Sequence, residues 1–248
     1  MADQPGGHDR AAMRALLEGL LVGADVLLES VGDWADRLAA DDPSPLTSQF
    51  LNQLGDEWPD ALPPDPFCEQ VAAQARARLS AWHPGWPHLW GHILRVTGVA
   101  VALADEAGID PAGAYLVGIC HDVAKLDELQ TGLPHEDVGA AFAGQALRDH
   151  LPRAQIESIQ AAIRKEGDDS LTDLLHDADK LDKIGAAGVL RRISTNTRVS
   201  WLPEALWRVS DDWRGFPAMH FDLSRDLKDG KSDFLRWFLP LAEQAAGG

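Results

Sequence analysis

His88-Leu-Trp-Gly-His92-Ile-Leu-Arg95-Val96 sets two imidazoles four residues apart and a guanidinium three residues further on. On an α-helix that spacing puts all three on one face. Helix-forming sequence continues to Ala107 and stops at Gly108. Two later strings repeat the theme of imidazole or carboxylate on a helix. His121-Asp122-Val-Ala-Lys125 ends a segment opened by Asp110-Pro111, with Asp at the N-cap and Pro at the first helical position. Asp177-Ala-Asp179-Lys-Leu-Asp182 runs along an apolar stripe of Leu171, Leu174, Leu175, Ala178, Leu181 and Ile184.

The helical pattern extends through the chain. Ala12 to Leu38 carries Leu16, Leu17, Leu20, Leu21, Val26, Leu27 and Val31 at helical spacing. Asp41-Asp-Pro-Ser-Pro45 breaks it, and Thr47 to Leu54 reads as a short helix. Further helices are expected over 67–82, from Pro134 through Leu147, over 153–165 with Gly167 as the stop, around Trp207 and over 234–241. Alternating runs are scarce, so the predicted fold class is all-α. Four prolines between Pro59 and Pro66 mark a linker. They divide an N-terminal helical extension, residues 1–60, from a main domain, residues 67–245.

The formal net charge of -17 over 248 residues argues against a nucleic-acid polymer as partner. A small phosphorylated substrate remains compatible, because a metal and a few local Lys or Arg reverse the field inside one pocket. The two cysteines, Cys68 and Cys120, are too few for a disulfide framework and fit a reducing compartment. Cys120 reads as a small buried hydrophobe. The first seven residues lack a signal-peptide pattern, and no apolar run is long enough to span a bilayer. A cytoplasmic protein with no membrane partner is expected.

His92, His121, Asp122 and Asp179 could converge on one ion. Neighbouring helical side chains point about 100° apart, so His121 and Asp122 meet one ion only near a helix end. Two imidazoles with two carboxylates suit Mn, Fe, Co, Ni or Zn, with Mg possible. Such an ion would activate a water and polarise a phosphoryl oxygen. Lys125, one turn beyond His121, and Arg95, three beyond His92, are placed for phosphate or for a carboxylate behind the ligands. His176-Asp177 is a second His-Asp pair, and His176, which is not part of the ordered set, reads as a surface residue or as one behind the ligands.

Taken in order, His92, His121-Asp122 and Asp179 resemble the ligand signature of the HD superfamily of metal-dependent phosphohydrolases. His88-x-x-x-His92-x-x-Arg95-Val96, His121-Asp122-Val-Ala-Lys125, His135-Glu136 followed by Gly139-Ala140, and Asp177-Ala-Asp179 through Gly185 resemble its successive motifs. The resemblance covers roughly residues 67–245. It implies a helical bundle holding one divalent ion through His92, His121, Asp122 and Asp179, with His88 outside the ligand set. Lys125 and Arg95 would serve phosphate, and Asp122 or Glu136 the proton. His135 would contact substrate or a water on the metal. Two-metal members carry a further His where this chain reads Ala162-Ile163-Arg164-Lys165-Glu166-Gly167, which favours one ion. Glu166 is the remaining substitute, and an oxygen-activating di-iron role lacks its fuller His set. The implied function is hydrolysis of a small phosphate ester or anhydride, foremost a nucleotide, by water activated at the metal. A metal- or nucleotide-binding regulatory module with little catalysis is the alternative, to which Trp82, Trp86 and Trp90 would be suited.

Overall fold

The structure, a computed structural model, describes residues 7–24, 44–57, 61–81, 86–167, 169–195 and 202–246. No strand occurs among them. The helices are α1 (Gly7–Ala24), α2 (Pro45–Asp56), α3 (Pro66–Ser80), α4 (Trp86–Ala107), α5 (Pro111–Cys120), α6 (Lys125–Thr131), α7 (His135–Leu147), α8 (Arg153–Arg164), α9 (Ser170–Leu181), α10 (Gly185–Thr195), α11 (Leu202–Arg214) and α12 (Asp222–Ala246). The all-α expectation holds.

Two compact units divide the chain: residues 59–181 with 218–225, and residues 1–58 with 182–217 and 226–248. In the first unit α4 is central, packed against α5 and α9, while α7 and α8 pair and α3 lies on α4 and α5. Ile93, Val96, Ala100, Leu103 and Ala104 form the buried stripe of α4, and α5 is buried from Ala114 to Cys120. The α4–α5 approach is close because residue 118 is glycine: a Cβ there would lie 2.7 Å from the Thr97 Cα. Thr97 turns its hydroxyl inward to the Ile93 carbonyl at 2.7 Å, which satisfies it in the core.

The second unit has its own apolar cluster. It includes Met13, Leu16, Leu17 and Leu20 of α1, Phe50 and Leu54 of α2, Ile193 of α10, Val209 of α11, and Phe234 and Phe238 of α12. Phe50 meets Phe234 edge-on at 5.9 Å, and Phe234 stacks on Phe238 at 5.2 Å. Glu57 closes α2 and reaches the start of α10, accepting from the Ala186 and Ala187 amides at 3.1 Å each. Lys231 supplies the counter-charge at 2.8 Å, and Gln53 donates to the same carboxylate at 2.8 Å.

Several sequence expectations change in detail. The helix expected over 12–38 is described over 7–24, and residues 25–43 lie outside the described set. Gly167 does not stop α8. Lys165 does, at φ 60, with the Lys165 and Glu166 amides turned back to Ala162 and Ala161. Asp110 sits at the N-cap of α5 but makes no side-chain cap bond; Pro111 alone pre-sets the start. The proline boundary groups differently in space: residues before it share a compact unit and a core with helices from the C-terminal third.

Candidate functional site

The site is built on α4, the α5–α6 junction, α7 and α9, all within the unit of residues 59–181 and 218–225. His92 lies in the first half of α4, where an otherwise apolar helix face makes it almost fully buried. His121 is the C-cap residue of α5, and residues 121–124 form a turn before α6. That turn resolves the adjacency problem, because His121 and Asp122 leave the regular helix and both face inward. Gly139 of α7 lets the neighbouring helix come close; a Cβ there would stand 3.3 Å from the Cys120 and His121 carbonyl oxygens.

His92 Nε2 stands 3.3 Å from His121 Nε2, 3.5 Å from Asp122 Oδ2 and 3.6 Å from Asp179 Oδ1. His121 Nε2 to Asp122 Oδ2 is 4.0 Å. Ligand atoms of His92, His121 and Asp179 all lie within 4.8 Å of one another. A coordination sphere with bonds of about 2.0–2.2 Å has donor-to-donor edges of about 2.9–3.6 Å. The donor set therefore fits a divalent ion. Tautomer chemistry agrees: His121 Nδ1 donates to the Gly118 carbonyl at 2.6 Å, so in the neutral ring Nε2 carries the lone pair.

Burial pushes the His121 pKa down and His92 pushes it further, outweighing the pull of Asp122 and Asp179, so the ring gives up its proton more readily than a free imidazole. Burial pushes Asp122 up, but His121 and the hydrogen bonds from His135 and His92 outweigh it and hold the carboxyl well below the usual carboxylate range. Asp122 is therefore ionised and available as a ligand.

A second layer surrounds Asp122. His135 opens α7, with Nε2 3.2 Å from Asp122 Oδ1 and Nδ1 2.8 Å from Glu128 and 3.1 Å from Glu136. Lys125 Nζ stands 2.8 Å from His135 Nε2. Burial disfavours the imidazolium, but Asp122 bonds to it and the net pKa is raised. Glu136 is anchored from its other side by Lys165 at 2.9 Å. Arg95 is buried one turn along α4 from His92. Glu166 is exposed, and the side chain of His88 lies outside those described. Of the three Trp residues, Trp90 is described, and it is buried in α4.

Sequence spacing did not reveal Glu128 or Lys165. Glu128 reaches His135 because the chain reverses at Gly132, at φ 70, a turn that no helical periodicity bridges. From the sequence, His176 had no part in the ordered set and Asp177 no partner of its own. In the structure Asp177 is buried and joined by His220, forming a second group of His and Asp donors among the described residues.

Residues 89–187 match the family model described as HD domain. No curated protein matches the chain. Among solved structures, a predicted HD superfamily hydrolase from an uncultured Thermotogales bacterium is similar at 20% identity, covering 77% of this chain and 95% of its own, with a TM-score of 0.56. Bacillus subtilis YpgQ, solved in complex with ADP, is 19% identical, covering 73% of this chain and 96% of its own, with a TM-score of 0.56. At such identities the likeness is one of fold, and that fold is all-α. No helix among the described residues is long and apolar enough to cross a membrane.

Proposed function

We propose that this chain is a metal-dependent phosphohydrolase that cleaves a small phosphate ester or anhydride, foremost a nucleotide, at the site formed by His92, His121, Asp122 and Asp179. The observation that carries the reading is the meeting of two imidazole nitrogens at 3.3 Å, each within 3.5–4.0 Å of the Asp122 carboxylate. Imidazole nitrogens and carboxylate oxygens at these separations are a donor set that a divalent cation can bind. A single divalent ion there would lower the pKa of a water and polarise a phosphoryl oxygen. The ADP bound by YpgQ, which shares the fold, supports a nucleotide as substrate.

The chain's own residues supply the rest. Lys125 Nζ stands 2.8 Å from His135 Nε2, beside Asp122. A phosphate oxygen that displaced this contact would accept from the Lys125 ammonium and from the His135 ring, and on that ground the pair is assigned to phosphate. Asp122, held ionised, accepts a proton from the attacking water or orients it, and His135 can return one to the leaving oxygen. Glu128 and Glu136 fix the far nitrogen of His135, so the ring cannot swing away during turnover. Arg95 would act on phosphate or on a ligand carboxylate from α4.

The test is a hydrolysis screen over nucleoside mono-, di- and triphosphates with Mn, Co, Ni, Zn or Mg added to chelator-treated protein. Metal-dependent release of phosphate or pyrophosphate that disappears in Asp179→Ala supports the reading. Tight nucleotide binding without turnover under any metal would overturn it in favour of a regulatory module.

A further inference from the structure

Asp177 and Asp179 share one motif but not one face. Two residues apart on α9, their side chains point about 200° from each other. Asp179 faces His92, while Asp177 faces the segment 218–221. We propose that His176, Asp177 and His220 form a second divalent-metal site, for a zinc-, nickel- or cobalt-class ion, with Asp173 orienting the His220 ring.

Helix spacing and a returning segment make the constellation. Asp173, His176 and Asp177 fall at i, i+3 and i+4, on one side of α9. Asp177 Oδ2 accepts the backbone amides of His220 at 2.8 Å and Phe221 at 3.3 Å, which fixes the arriving strand of chain. The other oxygen, Oδ1, stands 2.8 Å from His220 Nδ1 and 3.2 Å from His176 Nδ1. Ligand atoms of these three residues all lie within 4.8 Å of one another. The 3.2 Å separation falls within the edges of a coordination sphere with bonds of about 2.0–2.2 Å, and the 2.8 Å separation lies just below them.

The far side of His220 points to the same conclusion. Its Nε2 stands 3.3 Å from Asp173 Oδ1. A proton donated there leaves Nδ1 as a lone pair directed at Asp177 and His176, the carboxylate–histidine–metal arrangement that raises the donor strength of a ligating imidazole. Two imidazoles with a carboxylate select borderline transition ions over Ca or Mg. Asp177 forms a buried floor at 0% exposure, while His176 at 34% and His220 at 41% leave an open side for the ion and its waters. The metal-free alternative is a His220 ring held by hydrogen bonds alone between Asp173 and Asp177.

Chelator-stripped protein is titrated with Zn against a competing indicator, in the unsubstituted chain and in Asp179→Ala. Asp179→Ala is expected to keep one equivalent of Zn, and His176→Ala added to it to weaken that equivalent at least tenfold. Absence of Zn binding in a folded Asp179→Ala, or an equivalent unaffected by His176→Ala, would overturn the site. The unsubstituted chain provides an arm that needs no variant. Two equivalents of Zn should protect His176 and His220 from diethylpyrocarbonate, read by peptide mass spectrometry. Continued modification of both at saturating Zn would equally overturn the site.

Discussion

At the scale of the residue, the site separates groups that hold a cation from groups that meet an anion. His121 and Asp179 belong to the first kind. His121→Ala or Asp179→Ala is expected to lose the ion bound with His92, checked by metal analysis after dialysis. Lys125 belongs to the second. Lys125→Ala should leave that ion in place and the melting temperature nearly unchanged, while transition-state stabilisation falls by about 2–4 kcal/mol, the range for removing one preorganised donor. Unchanged kcat/KM would remove Lys125 from the phosphate site. His135→Ala should likewise lower turnover with the ion next to His92 retained; loss of that ion would make His135 a ligand. The ordered strings made these residues legible, since a helix translates spacing directly into a shared face. Glu128 and Lys165 were illegible because they act across a left-handed glycine turn and between neighbouring helices. His220 lies forty-three residues from Asp177, and only the tertiary fold relates them.

At the scale of the element, helix ends carry more of the chemistry than helix bodies. Asp169 precedes α9, the helix that bears Asp179, and its Oδ1 accepts from the Thr172 amide at 2.9 Å while Oδ2 accepts from Ser158 at 2.7 Å. Burial pushes this carboxyl up, but those bonds outweigh it and hold it below the usual carboxylate range. A depressed folded pKa means the unfolded chain binds the proton more readily. The stabilisation is therefore present above the unfolded carboxyl pKa and lost as pH falls through the folded value. Asp169→Ala should cost about 0.5–1 kcal/mol near pH 7, at the low end for a cap because the group is exposed. Urea denaturation of parent and variant should converge as pH drops below about 4. The end of α10 is different in kind, since Glu57 and Lys231 are both buried there. Glu57→Ala leaves an unpaired buried ammonium and two unmet amides, at a cost of about 3–5 kcal/mol. Replacing both, Glu57→Leu with Lys231→Met, should recover most of it, and no recovery would mean that amide capping, not charge pairing, dominates. Helix positions were legible from apolar periodicity, but neither cap was, because each depends on a partner outside its own helix or turn.

At the scale of the whole molecule, the linker prolines suggested a helical extension over residues 1–60, and the packing shows what that extension is packed with. Residues 1–58 share a compact unit with 182–217 and 226–248. The N-terminal part contributes Met13, Leu16, Leu17, Leu20, Phe50 and Leu54 to that unit's core, each at most 1% exposed. Periodicity showed that these residues face something apolar, but not that the partner helices come from the other end of the chain. Burying one such side chain is worth about 1.5–3 kcal/mol. Six of them amount to about 9–18 kcal/mol, comparable to the entire stability of a typical domain at about 5–15 kcal/mol. Removing residues 1–58 also removes Glu57 and leaves the buried Lys231 without its counter-charge. The truncated chain is therefore expected to lose ordered structure in α10, α11 and the 226–246 part of α12, while the separate core under α4, α5 and α9 persists. Hydrogen exchange read by mass spectrometry checks this peptide by peptide. Fast exchange across 185–214 and 226–246, with α4 and α5 still protected, is the expected result. Uniform native-like protection throughout the truncated chain would show that the N-terminal helices are dispensable and that the prolines mark a true domain boundary.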